Sequence, residues 1–290
     1  MIIENKNLND TQILLLYLLM NFEKICKSKG IVWYASGGTC LGAVRHKGFI
    51  PWDDDIDIDM PRSQYSTLVE ACNEMLPKDI VVRCRENDPY FCEEFIKICY
   101  YDSIKKYSDI SLDVFFYDET NPKKILLRSF QNISKKWLYY IKKYKVSKDK
   151  LGESYIPENP LKYLIIKIFS HMKYSYIDSL LLKIMTMEKN NGDYWVDWGA
   201  AHDYKTATFE KKKLGIPKVL PFEMAHVCVP QDTDYFLKRL YGKNYMCIPP
   251  VEKRKSHHVS LPNNSNISTD FLRSIVKNPE NWPELKEEIR

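Results

Sequence analysis

The stretch Trp52-Asp53-Asp54-Asp55-Ile56-Asp57-Ile58-Asp59-Met60 constrains this chain more than any other. Its alternation reads as a β-strand from Trp52 to Met60. In an extended strand, residues two apart share a face. Asp53, Asp55, Asp57 and Asp59 then point one way, and Asp54, Ile56, Ile58 and Met60 the other. Ile56 and Ile58 suit a core. The opposite face carries carboxylates about 6.6 Å apart, twice the rise of a strand. Ionised carboxylates at that spacing repel unless water, protons or a cation neutralise them. On a strand built for burial the expected neutraliser is a divalent cation, and all-oxygen ligands favour Mg²⁺ or Mn²⁺. A solvated acidic edge strand is the competing reading. A calcium loop fails, because its required Gly and Glu would fall on Ile58 and Gln64.

What precedes the acids points to an anion. Asp10 or Thr11 is expected to cap a core helix running to Lys29, with Leu14, Leu15, Leu18, Leu19 and Phe22 at helical spacing and Gly30 as its stop. Ile31 to Ala35 reads as a strand. Ser36-Gly37-Gly38-Thr39 then turns the chain into a helical turn or two from Thr39 to Val44. A Gly-Gly pair is most often only a tight turn. Here it follows a strand and opens a helix, where backbone N–H groups and the helix dipole hold phosphate. Arg45, His46 and Lys47 add positive charge beside it. Further on, Pro61 is expected in the first turn of a helix whose stripe is Tyr65, Leu68, Val69, Cys72 and Leu76. Ile80 to Cys84, Phe95 to Tyr101 and Ile110 to Tyr117 read as strands. Asp113 is the one acid in its apolar run, either an edge residue or a third carboxylate arriving beside the first two.

Composition shifts at Asn121-Pro122. Between 122 and 190 the chain reads as a basic helical insertion, with helical spacing in Ile125 to Tyr144 and Leu161 to Met172. Its lysines interleave with Trp137, Tyr139, Tyr140 and Tyr144. They form either a solvated face or a surface for anionic lipid or a lipid-linked glycan. No nucleic-acid motif accompanies them, so no nucleic acid is expected. Tyr194 to Gly199 returns to strand character, and Asp232 to Leu240 reads as a short helix stopped by Gly242. A further helix is expected from Thr269. The eight cysteines lack any C-x-x-C pair and the N-terminus is no secretory signal, so reduced thiols and a cytoplasmic location are expected. No apolar run approaches the roughly 20 residues a membrane span needs.

The segment from Gly37-Gly38-Thr39 through Arg45-His46-Lys47-Gly48 to Pro51-Trp52-Asp53-Asp54-Asp55-Ile56-Asp57-Ile58 resembles the LicD family. Supporting matches are Phe95-Ile96-Lys97-Ile98, Leu112-Asp113-Val114-Phe115, Leu220-Pro221-Phe222-Glu223, Leu240-Tyr241-Gly242, and Pro249-Pro250 through Lys253-Arg254 to His257-His258. The resemblance implies a single catalytic domain over 1–290. Its fold would be α/β (α+β), a nucleotidyltransferase-like mixed sheet flanked by helices, with 122–190 as the variable insertion. It implies that Asp55, Asp57 and Asp113 bind metal and carry catalysis, and that Gly37 and Gly38 bind phosphate. The family often has Gly where this chain has Asp59, which suits Asp59 as a supporting or exposed neighbour.

LicD-like proteins typically move phosphocholine from CDP-choline to a hydroxyl of a cell-surface glycan, while the related fukutin and fukutin-related protein use CDP-ribitol. The expected partners are therefore a CDP-alcohol donor and a glycan or lipid-linked glycan acceptor, with the enzyme at the inner face of the membrane. Thr39, Arg45, His46 and Lys97 are expected to join the glycines on phosphate, with Asp53 and Trp52 in support. Asp113 or Asp57 would take the hydroxyl proton. Trp52, Trp195 and Trp198 are candidate faces for a quaternary ammonium. The alternatives are another CDP-alcohol donor, nucleotidyl transfer with release of pyrophosphate, and a silent glycan or membrane scaffold.

Overall fold

The computed structural model of the chain describes residues 8–149, 157–188, 192–200, 202–254, 261–262, 270 and 273. Lys150, His257, His258 and the helix expected from Thr269 lie outside the described residues, Asp270 and Arg273 apart. The fold is α/β, a mixed sheet with helices. Two compact units make it up. The first combines Met1–Arg83, Phe95–Phe116 and Lys212–Arg290; the second combines Cys84–Glu94 and Tyr117–Lys211. The helices of 122–190 belong to the second, together with strands on either side.

The first unit is built on α1 (Asp10–Lys29). Its cap is Asn9 rather than Asp10 or Thr11, because Asn9 can complete a reciprocal box. The Gln12 N–H donates to Asn9 Oδ1 at 2.8 Å, and the Asn9 N–H donates to Gln12 Oε1 at 3.3 Å. Ile13, Leu14, Leu15, Leu16, Leu18, Leu19, Phe22 and Ile25 are all buried, so the helix is apolar on nearly every side and forms the core. Gly30 ends it in the left-handed conformation. β1 is only Tyr34–Ala35; Val32 spends its N–H on Gln64 Oε1 rather than on a ladder. α2 (Gly37–His46) starts at the glycines themselves, two residues before the expected Thr39.

β2 (Ile56–Pro61) begins four residues later than its alternation suggests, and Pro61 closes it instead of opening a helix. A short 3₁₀ turn leads into α3 (Tyr65–Met75), which buries Leu68, Ala71 and Cys72. β3 (Ile80–Arg83), β4 (Ile96–Asp102) and β5 (Lys106–Thr120) complete the main sheet, in the order β1-β2-β5-β4-β3. β1 runs antiparallel to β2 with Ala35 opposite Ile58, and β4 antiparallel to β5 with Lys97 opposite Asp113. β5 is thus the neighbour of both the acidic strand and the Lys97 strand.

In the second unit, α4 (Ile125–Asp149), α5 (Pro160–Phe169) and α6 (Tyr174–Met185) surround a core of Leu138, Ile141, Tyr144, Ile166, Ile177 and Leu181. α6 was not expected. It follows Lys173, which gives no side-chain cap, so no start signal marks it. Lys142 is buried there against Asp178 at 2.6 Å. The end of β5, from Tyr117, pairs with β6 (Tyr194–Asp197), and β6 pairs with β7 (Thr208–Glu210). The short α7 (Lys211–Leu214) leads back to the first unit. There β8 (Lys218–Phe222) and β9 (Ala225–Val229) form a hairpin where only a turn-rich region was expected. α8 (Thr233–Tyr241) follows, ending at Gly242.

All eight cysteines are free. Because the Asn9–Gln12 box holds the entry of the core helix, Asn9→Ala should lower stability by about 1 kcal/mol. Urea unfolding of the variant checks this, with the same slope and an earlier midpoint expected.

Candidate active site

Two carboxylates are pressed against the two glycines that open α2. A Cβ built on Gly38 would lie 2.4 Å from Asp53 Oδ2, and one on Gly37 would lie 3.1 Å from Asp57 Oδ2. Gly37 also has φ +46°, so its backbone independently favours glycine. The first-turn N–H groups of a helix have no partner inside it, and the positive end of the dipole lies there. The glycine turn therefore meets acids at its mouth as well as being able to meet phosphate.

The acids reach this point by different routes. Asp57 is on β2. Its N–H donates to Thr39 Oγ1 at 2.9 Å, and its carbonyl accepts from the Ser36 N–H at 2.9 Å. Thr39 is 3% exposed, so its hydroxyl braces the acidic strand against α2. Asp53 precedes the strand. It sits in a turn whose N–H bonds the Ile50 carbonyl at 2.8 Å, and Gln12 of α1 donates to the Asp53 carbonyl at 3.1 Å. The shared face of four aspartates therefore does not form as one strand face. A turn, not strand pleating, delivers Asp53. Asp59 is buried rather than exposed, and it raises the pKa of the Cys40 thiol on α2 after burial itself does.

Asp113 arrives from β5, held by Lys97 Nζ at 2.7 and 3.0 Å and by the Ser111 hydroxyl at 2.6 Å. Lys97 also donates to Ser111 at 3.0 Å. Lys97 is thus the partner of Asp113, with its ammonium already spent on a carboxylate.

The charges show how near these groups are. Burial pushes Asp57 well above the usual carboxylate range, reinforced in order by Asp55, Asp113, Asp59 and Asp53. Burial, then Asp55, pushes Asp53 up to about 8. Burial also raises Asp113, against the opposing pull of Lys97. Among the described residues no three His, Cys, Asp or Glu side chains already surround one cation position. The donor chemistry nevertheless fits a hard divalent cation. All the donors are carboxylate oxygens, and their mutual repulsion is the energy such a cation relieves. Asp55, Asp57 and Asp113 would hold it.

The basic loop is fastened elsewhere. Arg45 donates to His46 Nε2 at 2.9 Å and to the carbonyls of Tyr245 and Cys247 at 2.9 and 3.2 Å. His46 meets Trp52 edge-on, and Arg254 lies 4.7 Å over the Trp52 ring. Glu223, at the β8–β9 turn, donates its N–H to the Lys47 carbonyl at 2.9 Å and accepts from the Phe49 N–H at 3.0 Å. The structure thus gathers Gly37, Gly38, Asp53, Asp55, Asp57 and Asp113, with Thr39 and Lys97 bracing them. The Arg45 fork is directed at backbone carbonyls. Trp195 stacks on Tyr117 and buried Trp198 donates to the Met185 carbonyl, both within the second unit.

One site residue was not foreseen. The Tyr241 hydroxyl lies 3.7 Å from the place of a Gly37 Cβ. Burial, then Asp57 and Asp53, holds that phenol protonated. Its signals in the sequence are the Leu240-Tyr241-Gly242 match and its place beside Gly242 at a helix end, neither of which assigns it a role.

The family model for the LicD/FKTN/FKRP nucleotidyltransferase domain matches residues 30–151, which include Asp53, Asp55, Asp57, Asp59 and Asp113 but not Glu223 or Tyr241. The chain is 27% identical over 267 residues to the lipopolysaccharide cholinephosphotransferase LicD of Haemophilus influenzae, covering 87% of this chain and 96% of that protein. It is also 28% identical over 148 residues to an uncharacterized protein of Rickettsia typhi, covering 49% of this chain and 43% of that protein.

Thr39→Val should leave the Asp57 N–H unsatisfied in a buried place and cost about 1–3 kcal/mol, while Thr39→Ser stays near wild type in thermal melting. The raised carboxylates also set a pH dependence. A carboxyl whose pKa is higher folded than unfolded binds more protons in the fold, so stability falls as pH rises between the two values. For Asp53 that window runs from about 4 to about 8. The metal-free protein should therefore lose melting temperature across it, and Asp53→Asn should flatten the slope. A melting temperature that climbs through this window would contradict the assignment.

Proposed function

From the match of residues 30–151 to the LicD family model and the likeness to the Haemophilus protein, we propose that the chain is a LicD-type phosphotransferase that moves a phospho-alcohol group onto a glycan hydroxyl. The group is phosphocholine, by likeness to the Haemophilus relative, and the donor is a CDP-alcohol. The observation that carries the reading is the pair of carboxylates seated on the glycine turn, Asp57 on Gly37 and Asp53 on Gly38. A phosphate bound at the start of α2 would meet those acids head-on, so anion and carboxylates share a site only with a cation between them. Mg²⁺ or Mn²⁺ on Asp55, Asp57 and Asp113 would supply that neutralisation.

The chain's own residues do the rest. N–H groups of Gly37 and Gly38 bind the donor phosphate at the helix N-terminus. Thr39 holds β2 in register with that turn. The acceptor oxygen attacks the distal phosphorus, the bond to the bridging oxygen breaks, and CMP leaves. The acceptor proton passes to Asp113, which Lys97 and Ser111 orient and whose basicity burial raises. The neutral Tyr241 phenol donates a hydrogen bond toward the phosphate oxygens beside Gly37.

The test is product analysis with CDP-choline, CDP-ribitol and CDP-glycerol, Mg²⁺ and glycan acceptors. Release of CMP with phosphocholine on the glycan is expected; release of pyrophosphate from a nucleoside triphosphate would replace the reading with nucleotidyl transfer. Asp55→Asn and Asp57→Asn should each abolish transfer. Asp57→Asn should also keep or raise the melting temperature of the metal-free protein, since it removes a buried, repelled carboxyl. Full activity in either variant overturns the site.

A further inference from the structure

The second unit presents an apolar surface that nothing among the described residues covers. α4 carries a stripe at Leu126, Phe130, Ile133, Trp137, Tyr140 and Tyr144, spaced by three and four residues along one helix face. α5 lies over the C-terminal half of this stripe. Lys162 Nζ sits 3.4 Å over the Tyr140 ring, and the Tyr163 ring meets Tyr144 edge-on at 5.8 Å. The N-terminal half continues uncovered, with Leu126 87% exposed and Phe130 and Ile133 also exposed. α5 itself buries only Ile166; its outward residues are Leu161, Leu164, Ile168 and Phe169. Since α5 sits on the stripe, its outward face and the uncovered half of the stripe look the same way.

Charge says what covers this surface. Residues 122–190 hold fifteen Lys and Arg against five Asp and Glu, although the whole chain is only +5. α5 has no acid and α4 has only Asp149. Exposed Lys123, Lys136 and Lys167 flank the two apolar faces. A second copy of the same surface would be repelled by that charge, whereas an anionic bilayer complements both its lysines and its apolar side chains. No helix among the described residues is long and apolar enough to cross a membrane, so such contact would be made from the surface.

We propose that the second unit docks on anionic membrane through Leu126, Phe130 and Ile133 of α4 and Leu161, Leu164 and Ile168 of α5, with Lys123, Lys136 and Lys167 on the lipid headgroups. The docking surface is independent of the transferase reading, and its test needs no substrate. The full chain is sedimented with vesicles of phosphatidylcholine alone and of phosphatidylcholine with phosphatidylglycerol. Binding is expected to the second only, and to weaken as salt is raised. Leu164→Gln with Ile168→Gln, and separately Phe130→Gln with Ile133→Gln, should each reduce binding at least about tenfold without changing charge. Because these side chains are exposed, the melting temperature should stay at the wild-type level. Lys136→Glu with Lys167→Glu provides a second, charge-based loss.

Three results would overturn the proposal. The first is wild-type protein that stays in the supernatant with phosphatidylglycerol vesicles. The second is undiminished binding by both apolar double variants, which would leave lysine charge as the whole effect. The third is a dimer in light scattering that the apolar variants dissociate, which would make the face a contact between copies.

Discussion

The crowding of buried carboxylates at the mouth of α2 is the constraint to which the first unit answers. Each of Asp53, Asp57 and Asp113 is raised first by burial and then by its acidic neighbours. Uncompensated, such a cluster favours either protonation or opening. The fold holds it closed by bracing the backbone on which it stands. Gln12 of the core helix holds the Asp53 carbonyl, Thr39 takes the Asp57 N–H, and Lys97 with Ser111 grips Asp113. The apolar α1 gives these braces a rigid base, since its leucines are sealed on nearly all sides. On the proposed function, stability is given up to keep a charge pattern ready for an anion that arrives with a cation.

Much of this was legible locally. Alternation placed Ile56 and Ile58 in the core and Asp57 opposite them, as observed, because side-chain direction in a strand depends only on parity. Gly37-Gly38 was legible as a helix opening for the same local reason. Parity failed for Asp53 because it lies before the strand, in a turn closed on Ile50 and tied to α1. Those partners are a backbone carbonyl and a glutamine 41 residues away, and no periodicity reports them. Asp59 read as a supporting or an exposed neighbour, and it is buried, since β2 is an interior strand paired with β1 and β5. The pairing of Lys97 with Asp113 depends on β4–β5 register, which sequence alone did not fix. Tyr241 was hidden among 20 tyrosines and joins the acids only through α8.

The Lys97–Asp113 pair changes how the basic residues of this site are to be understood. A phosphate-binding site is often drawn as a ring of Lys and Arg. Here Lys97 is taken by Asp113, and the Arg45 fork by the carbonyls of Tyr245 and Cys247. Of the groups described at this site, the start of α2 and the Tyr241 hydroxyl are left for an anion, together with the cation that the carboxylates are proposed to bind. Such a site has little affinity for phosphate by itself. It acquires affinity when the cation arrives, so donor and metal should bind together instead of independently.

The charge map of the whole chain fits this dependence. Its net charge of +5 conceals an insertion far more basic than that and a remainder that is net acidic. Long-range attraction for an anionic donor therefore does not come from the acidic remainder that holds the catalytic groups. Local neutralisation has to do it, at distances where burial strengthens each interaction. The basic charge lies instead on helices with uncovered Leu, Ile and Phe side chains, a composition suited to a lipid surface and not to a nucleotide. A basic residue placed beside Asp57 would neutralise it, but it would fill the position that the proposed cation would take. Lys97 leaves the acidic row undisturbed, because it is fixed on Asp113 by two hydrogen bonds and by its register in the sheet.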